Sequence, residues 1–186
     1  MKHFFLLIFL LVVGLTDINA QELGLGIKGG FNFSDISGDI AGDTGYLTRY
    51  HFGVVAEVPI SDKFSFQPEL LYSGQGYTLN DDRVDLDYLS MPLVGKYYVT
   101  KGLSLEAGPQ IGLLLSAEEE EDNTDVKDFF SSVDVGVNLG VGYKFENGLN
   151  FNVRYIVGLS DINDRDGLDA KIRNGVAQLS IGYFFF

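Results

Sequence analysis

The feature that most constrains the fold of this chain is an alternation of apolar and polar residues that recurs from residue 22 to residue 186. Its period of two indicates β-strands, because successive side chains of a strand point to opposite faces. No convincing amphipathic helix interrupts the pattern. The alternation predicts eight strands, at residues 22–33, 47–59, 64–76, 86–99, 103–116, 130–145, 149–160 and 175–186.

The connections between the predicted strands alternate in length. Short turns at one end and long loops at the other, around an even number of strands, are the plan of a transmembrane β-barrel. The predicted fold class is therefore all-β: an eight-stranded antiparallel up-and-down transmembrane β-barrel with short periplasmic turns and long extracellular loops. The turns lie at 61–63, 100–102 and 146–148, and the loops at 34–46, 77–85, 117–129 and 161–174.

One face of every predicted strand is apolar and free of charge, although 21% of the residues in the chain are charged. The opposite face consists of small, polar and glycine residues, and its acidic and basic side chains nearly balance. Such a balance suits a closed interior, because an unpaired buried charge is very costly. We expect eight residues of this face to form an interior polar cluster: Lys28, Glu57, Glu69, Lys96, Glu106, Asp134, Lys144 and Arg154.

Alternation alone does not decide which face lies inside. A soluble secreted barrel, such as a lipocalin that binds a hydrophobic ligand, places its apolar face inward, whereas a membrane barrel turns that face toward lipid. The interior of eight strands holds only a filling of side chains or one small ligand. The apolar face offers more than forty positions, many of them aromatic, which is too many for that space. The sequence therefore favours the membrane barrel, with the lipocalin-like barrel as the alternative.

Aromatic residues fall in two bands near the strand ends, as in the girdles of membrane barrels. Their preference for strands in general is the alternative explanation. The band at the turn end contains Phe64, Phe66, Tyr97, Tyr143, Phe145, Phe151, Tyr183 and Phe185. The band at the loop end contains Phe33, Tyr46, Tyr50, Tyr72, Tyr77, Tyr88, Phe129 and Tyr155.

The first residues have the features of a cleaved secretory signal peptide. Lys2 precedes an apolar run, Phe4–Leu15, and Ala20 provides a small residue before a cleavage site. The run has 12 residues, and a spanning helix requires ~20. We therefore predict a signal peptide at residues 1–20 and one outer-membrane-type barrel domain at residues 21–186.

The composition excludes several classes of function. The chain lacks cysteine, which removes disulfides and cysteine-based metal sites. Its net charge of −13 argues against nucleic acid as a partner, since phosphate contacts require clustered Lys and Arg. Most of the acidic residues lie in the predicted long loops, which could attract cations or basic partners. We predict no cofactor.

Two acidic loop segments suggest metal binding at first sight. The run Glu118–Asp125 offers oxygen ligands, but consecutive like charges usually form a solvated loop. Residues 161–169, DINDRDGLD, have the composition of a calcium loop. Their spacing around Gly167 is wrong, and a basic residue stands where the closing glutamate belongs. No metal site is predicted.

His51 is the candidate for catalysis. With Ser73 or Ser90 it could serve a lipid-modifying enzyme, in which a base activates a serine. No motif flanks His51, and a nucleophile, a base and an orienting group must converge in space. We predict a structural role for His51 and no catalytic residue, with a lipid-modifying enzyme as the weaker alternative.

Several segments resemble the small outer-membrane β-barrel family often called porin family proteins. The resemblance implies an outer-membrane protein of a Gram-negative bacterium, similar to barrels of the OmpX and OmpA type, which are monomeric. The segments are LGLGIKGGFNFS (23–34), QPELLYSGQG (67–76), DYLSMPLVGKYYV (87–99) and GLSLEAGPQIGLLL (102–115).

The last predicted strand resembles the segment by which the barrel assembly machinery recognises outer-membrane barrels. Its aromatic residues are Tyr183, Phe185 and Phe186. Phe185 holds the usual terminal place, and Phe186 is one residue extra.

The sequence thus predicts a non-enzymatic integral outer-membrane protein, in contact with outer-membrane lipid, with a polar, ion-paired and plugged interior. Its role would be structural, in surface interaction, or in the handling of a small solute. Because eight strands leave no aqueous channel, we expect negligible conductance.

Overall fold

The structure, a computed structural model, describes residues 23–38, 44–80, 82–119, 124–164 and 171–185. The predicted signal peptide lies outside the described residues. Among the described residues, no helix is long and apolar enough to cross a membrane. The strands are β1 (Gly24–Gly38), β2 (Thr44–Ser61), β3 (Phe64–Leu79), β4 (Asp82–Tyr98), β5 (Leu103–Glu119), β6 (Thr124–Asp125), β7 (Val133–Lys144), β8 (Leu149–Gly158) and β9 (Ile172–Phe184).

Eight of these strands close into an antiparallel barrel. Each of the eight pairs with the next one along the chain, and β5 therefore pairs with β7 rather than with the short β6. The pairing of β1 with β9 completes the ring. The two residues of β6 pair only with the upper end of β5. Closure leaves the wall without an edge, so that the strands satisfy one another's backbone groups. The predicted fold class is confirmed.

The apolar face of the barrel lies outside and the polar face lies inside. Ile27 and Phe52 are 51% and 55% exposed, whereas Lys96 and Arg154 are 2% and 1% exposed. The alternation breaks at bulges and toward the loop end, for example in β3 and β9. Within the apolar belt it fixes the register, because a strand that slipped by one residue would turn its whole apolar set inward. A lipocalin-like barrel requires an apolar interior, so that alternative is wrong.

The barrel wall rises further toward the loop end than the sequence predicted. Residues 77–85 were expected to form a loop, but β3 and β4 stay paired up to Leu79 and Asp82. Only residues 80 and 81 connect them, and Asn80 takes a positive φ of 52°, which suits a tight turn. Arg83 and Asp85 of this hairpin lie on its outer surface, where they form an ion pair.

The outward residues of β4 mark where the apolar belt ends. Leu89–Tyr97 presents apolar or glycine positions outward, and above it the outward positions are charged: Arg83, Asp85 and Asp87. A membrane-spanning strand requires about 9–11 residues. The belt on β4 has that length, and the upper part of the strand projects beyond it.

An apolar cap fills the barrel at the loop end. Val126, Phe130 and Ile162, which follow β6 and β8, pack against inward side chains of the strands. Backbone hydrogen bonds hold the two loops together, since the Ser131 N–H donates to the Ile162 carbonyl at 2.9 Å. The strand residues of the cap are Ile36, Tyr77, Val84, Leu86, Tyr88, Leu114 and Ala117.

The aromatic bands are partly as predicted. Tyr143, Phe145 and Phe151 stack edge to face at the turn end, and Tyr50, Phe52 and Tyr72 form a stacked group toward the loop end. Tyr77 and Tyr88 do not belong to the outer band, because both are buried in the apolar cap. Their parity on the extended β3–β4 hairpin turns them inward.

Three prolines interrupt the hydrogen-bond ladders along a diagonal line. Pro68, Pro92 and Pro109 lie on β3, β4 and β5, and each coincides with two missing pairs in the ladder to the preceding strand. Proline has no N–H to donate, which accounts for the gaps. Near these prolines, fewer backbone hydrogen bonds therefore join the strands from β2 to β5.

Candidate functional site in the barrel interior

Arg154 on β8 is the centre of an ion-paired network inside the barrel. Its Nε donates to Glu106 Oε2 and its Nη2 donates to Glu69 Oε1, both at 2.7 Å. Lys28 Nζ lies 3.1 Å from the other oxygen of Glu69. The side chains of Arg154, Glu69 and Glu106 have no exposed area. A guanidinium that forks between two carboxylates is among the strongest polar arrangements in proteins.

A second group of ion pairs lies nearer the turn end, around Glu57. Lys144 Nζ and Lys96 Nζ lie 2.9 Å and 3.4 Å from Glu57 Oε2, and the Tyr98 hydroxyl donates to Glu57 Oε1. Lys96 Nζ also lies 3.9 Å from Glu106, which joins this group to the Arg154 group. The Phe184 ring lies against both ammonium groups, 5.8 Å from Lys96 Nζ and 5.1 Å from Lys144 Nζ.

The network reaches across the lumen because glycines leave room for it. A Cβ on Gly142 would stand 2.3 Å from Glu106 Oε1, and a Cβ on Gly140 would stand 2.6 Å from Arg154 Cγ. Glycine at inward positions of β7 therefore admits side chains from β5 and β8. Glu69 on β3 and Arg154 on β8 meet in the space that these glycines leave.

Seven of the eight residues of the predicted cluster take part in the network, and Asp134 does not. Asp134 lies near the loop end, where it accepts hydrogen bonds from Ser160 Oγ at 2.6 Å and Asn174 Nδ2 at 2.9 Å. Asp134 lies near the start of β7 and Lys144 at its end, so the two groups are far apart along the strand. Within the network, three carboxylates therefore face four cations, and Lys144 is the one with a partly exposed side chain, at 33%.

A layer of neutral polar side chains separates the ion pairs from the apolar cap. Asn32 Nδ2 donates to Ser73 Oγ and to the Gly74 carbonyl, and Gln178 Nε2 donates to Asn32 Oδ1. Ser34 Oγ accepts from the Gly76 N–H at 2.9 Å. Amide side chains suit this position because one group can donate and accept at the same time.

His51 belongs to this neutral layer, where it lies opposite Ser73 on the neighbouring strand but hydrogen-bonds with a serine that the sequence did not suggest. Its Nε2 lies 2.9 Å from Ser180 Oγ on β9. Ser73 bonds with Asn32 instead. Both His51 and Ser180 are buried, at 1% and 3% exposure. The pair therefore has no access to lipid or to the bulk solvent at either end of the barrel.

The sequence missed a second cluster of ion pairs, on the outer surface above the apolar belt. Arg49 reaches across β3 and its guanidinium lies 3.1 Å from Asp85 and 3.0 Å from Asp87 on β4. Gly74, on the intervening strand, leaves the passage open, since its Cβ would stand 3.1 Å from Arg49 Nε. The sequence pattern predicts a loop at residues 77–85, so it does not place Asp85 on the barrel wall beside Asp87.

The acidic loops form no metal cluster within the part of the chain that the structure describes. Asp161 instead acts as a structural acceptor, with the backbone N–H groups of Ile172 and Asn163 at 2.9 Å and 3.1 Å from its Oδ1. These hydrogen bonds, that of Ile172 first, lower the pKa of the Asp161 carboxyl below its usual value. Much of the predicted loops, including residues 120–123 and 165–170, lies outside the described residues.

Comparisons with known proteins agree with this architecture. The profile of the family described as "outer membrane protein beta-barrel domain" matches residues 19–164. No curated protein matches the sequence. Among solved structures, neisserial surface protein A is 15% identical, with a TM-score of 0.60, over 87% of this chain and 97% of that protein.

Ail, the attachment invasion locus protein of Yersinia pestis, is a second similar structure. It was solved in complex with the heparin analogue sucrose octasulfate, and is 15% identical with a TM-score of 0.54, over 89% of this chain and 100% of that protein. At these identities the likeness concerns the fold alone.

Proposed function

The chain belongs to the outer membrane protein β-barrel domain family, and on this premise we propose that it works as a closed, non-conducting barrel whose role is exerted at the cell surface. The outer membrane is its location, and lipid surrounds its apolar belt. The proposed role is structural or one of surface interaction, carried by the acidic loop end. The barrel is proposed to act as a monomer.

Three successive groups of side chains in the lumen support this proposal. The ion pairs around Glu57 and Arg154, the neutral layer around Asn32 and the apolar cap around Phe130 follow one another from the turn end to the loop end. A solute would have to break buried ion pairs to pass, and each broken pair would leave an uncompensated charge.

Conductance across a planar bilayer tests the closed barrel. The purified protein should give no current steps above the baseline of the empty bilayer, since the ion pairs and the apolar cap obstruct the lumen. A sixteen-stranded porin in the same bilayer is the positive control, because its lumen is an aqueous channel. Steady single-channel currents of porin size would refute the proposal.

The non-enzymatic part of the proposal is supported by the position of His51. Its imidazole lies between β-strands in the lumen and bonds with Ser180, and neither group faces a surface that lipid reaches. A lipid-modifying enzyme requires a nucleophile and a base beside its substrate. The small-solute role expected from the sequence receives no support from the filled lumen.

The acidic loop end is proposed to attract cations or basic partners. Asp82, Glu118, Glu119, Asp125 and Asp128 stand at this end, and such a charge excess raises the local concentration of positive ligands. Ail was solved with an anionic, sulfated ligand. The charge of the loop end here favours a ligand of the opposite sign.

Calcium-dependent melting tests the cation part. If divalent cations bind the loop end in the folded state, millimolar calcium should raise the melting temperature of the purified barrel, because a ligand that binds only the folded state stabilises it. Sodium chloride at equal ionic strength controls for screening. Identical melting in both salts would remove cations from the proposal.

A further inference from the structure

The outer wall of the barrel carries a groove that the proposed function does not use. It lies across β8, β9, β1 and β2 and has a volume of about 690 Å³. Apart from the Lys28 backbone position and three glycines, its lining is apolar: Ile27, Phe52, Val54, Leu149, Ile181 and Tyr183. The side chain of Lys28 points into the lumen, where it pairs with Glu69, so no charge enters the groove.

Gly29 produces the depth of this groove. It is an outward position of β1, opposite Phe52 on β2 and Ile181 on β9. A Cβ at Gly29 would stand 3.4 Å from the His51 carbonyl oxygen and 3.7 Å from Phe52 Cβ, which leaves space for a side chain. Packing of the barrel therefore does not require glycine at this position.

The neighbouring residue shows the contrast. A Cβ at Gly30 would stand 2.0 Å from the Leu179 carbonyl oxygen, so that position admits only glycine. Gly29 is thus a gap in an outer wall whose other β1 positions, Ile27 and Phe31, carry large exposed side chains. The gap creates a hollow that something outside the barrel can fill.

The position of the groove identifies the chemistry of its occupant. Leu149 begins β8 directly after the turn at 145–148, and Tyr183 belongs to the aromatic group at the turn end. The groove therefore runs from the middle of the apolar belt toward the turn end, inside the hydrocarbon layer. We propose that it is a binding site for one acyl chain of a phospholipid in the leaflet on the turn side of the barrel.

A second copy of this chain fits the groove less well than an acyl chain. In a two-fold dimer both copies contribute the same surface, so the groove of one copy would face the groove of the other. The dimer would pack well only if a protruding side chain next to each groove filled the groove of the other copy. An acyl chain adapts its shape to the space. Lipid tails are as apolar as the barrel wall, so the acyl chain is held by van der Waals contacts in the groove and not by the hydrophobic effect. A side chain that fills the groove removes these contacts.

Lipid retention in bilayers of defined composition tests this site. The protein is placed in phospholipid vesicles that contain a phospholipid spin-labelled on its acyl chain, and the immobilised fraction is measured by electron paramagnetic resonance. Gly29→Leu should reduce retention at the site by about tenfold, because the new side chain takes the place of the acyl chain. Gly29→Ala should reduce it less.

Ala177→Leu is the control, because it places the same leucine side chain at an outward position of β9 above the groove. It should leave the immobilised fraction unchanged, and heat-modifiable gel migration confirms that each variant is folded. An immobilised fraction that is equal in wild type and Gly29→Leu would overturn the proposal.

Photo-crosslinking distinguishes the two occupants. A benzoylphenylalanine in place of Phe52, on the rim of the groove, should give an adduct with the mass of one phospholipid. The yield of this adduct should fall when Gly29→Leu is added, because only lipid outside the groove then remains within reach of the probe. A crosslinked dimer of the chain in place of the lipid adduct would overturn the proposal.

Discussion

At the scale of single residues, Arg154 has the largest consequences in this structure. Its guanidinium donates hydrogen bonds to two buried carboxylates, Glu69 and Glu106. Across the lumen, the three prolines of β3, β4 and β5 interrupt the backbone ladders. The side chains of β8, β3 and β5 therefore hold together strands that hydrogen-bond incompletely at that level.

Replacing Arg154 by methionine should strongly destabilise the barrel. The change keeps most of the side-chain volume but leaves Glu69 and Glu106 short of a counter-charge in a buried site, which typically costs about 3–5 kcal/mol. Reversible unfolding in urea, with the protein in lipid vesicles, measures the difference in unfolding free energy.

The double variant Arg154→Met/Glu106→Gln is the control for this prediction. It removes one charge of each sign, so that Glu69 keeps Lys28 as its partner. It should recover a large part of the lost stability. A single variant as stable as the wild type would contradict the role assigned to Arg154.

Residue positions inside the barrel were predictable where the alternation continued without a break. Lys28, Glu57 and Arg154 could be assigned to the interior from parity alone. Parity does not give height along the barrel, so it could not show that Asp134 lies apart from the ion pairs. The ion pairs of Arg49 were missed because one of its partners, Asp85, lies on a hairpin that the sequence did not indicate.

At the scale of elements, we predict a role in barrel assembly for β9. Its outward residues end with Tyr183 and Phe185, whose rings are 5.7 Å apart, and Phe186 lies outside the described residues. We expect the barrel assembly machinery to recognise this strand. An aromatic girdle alone does not require aromatic residues on β9, because aromatic residues on any strand can occupy the interface.

Phe185→Ser should therefore lower assembly in cells more than a matched change elsewhere in the girdle. Phe151→Ser on β8 is the control, because Phe151 is outward and similarly exposed, at 42% against 51% for Phe185. Membrane levels in cells should fall several-fold only for Phe185→Ser, while both variants fold alike into synthetic vesicles. Equal levels in cells would contradict a recognition role for β9.

The strands were easier to predict than the structure at the loop end. Alternation identified the barrel strands because lipid and a closed lumen impose opposite demands on neighbouring residues. Above the apolar belt this constraint disappears, since water meets the outer face there. The β3–β4 hairpin and the cap formed by Val126, Phe130 and Ile162 therefore left no periodic signal that distinguishes them from a solvated loop.

At the scale of the whole molecule, the barrel is an inverted globular protein in its lower part and an ordinary one at its loop end. In the apolar belt, Leu105 and Val153 face outward while Lys96 and Arg154 fill the lumen. Above the belt, Leu86 and Tyr88 are buried in the apolar cap and Arg83 and Asp85 lie outside. The change from one arrangement to the other marks the membrane boundary.

Magnetisation transfer in solid-state NMR, with the protein in lipid bilayers, tests this arrangement most directly. Proton magnetisation that starts on the lipid acyl chains should reach the methyl groups of Leu105 and Val153, and magnetisation that starts on water should reach neither these methyl groups nor the Arg154 guanidinium. Transfer from bulk water to Arg154 and Lys96, with no transfer from lipid to Leu105 and Val153, would contradict the account.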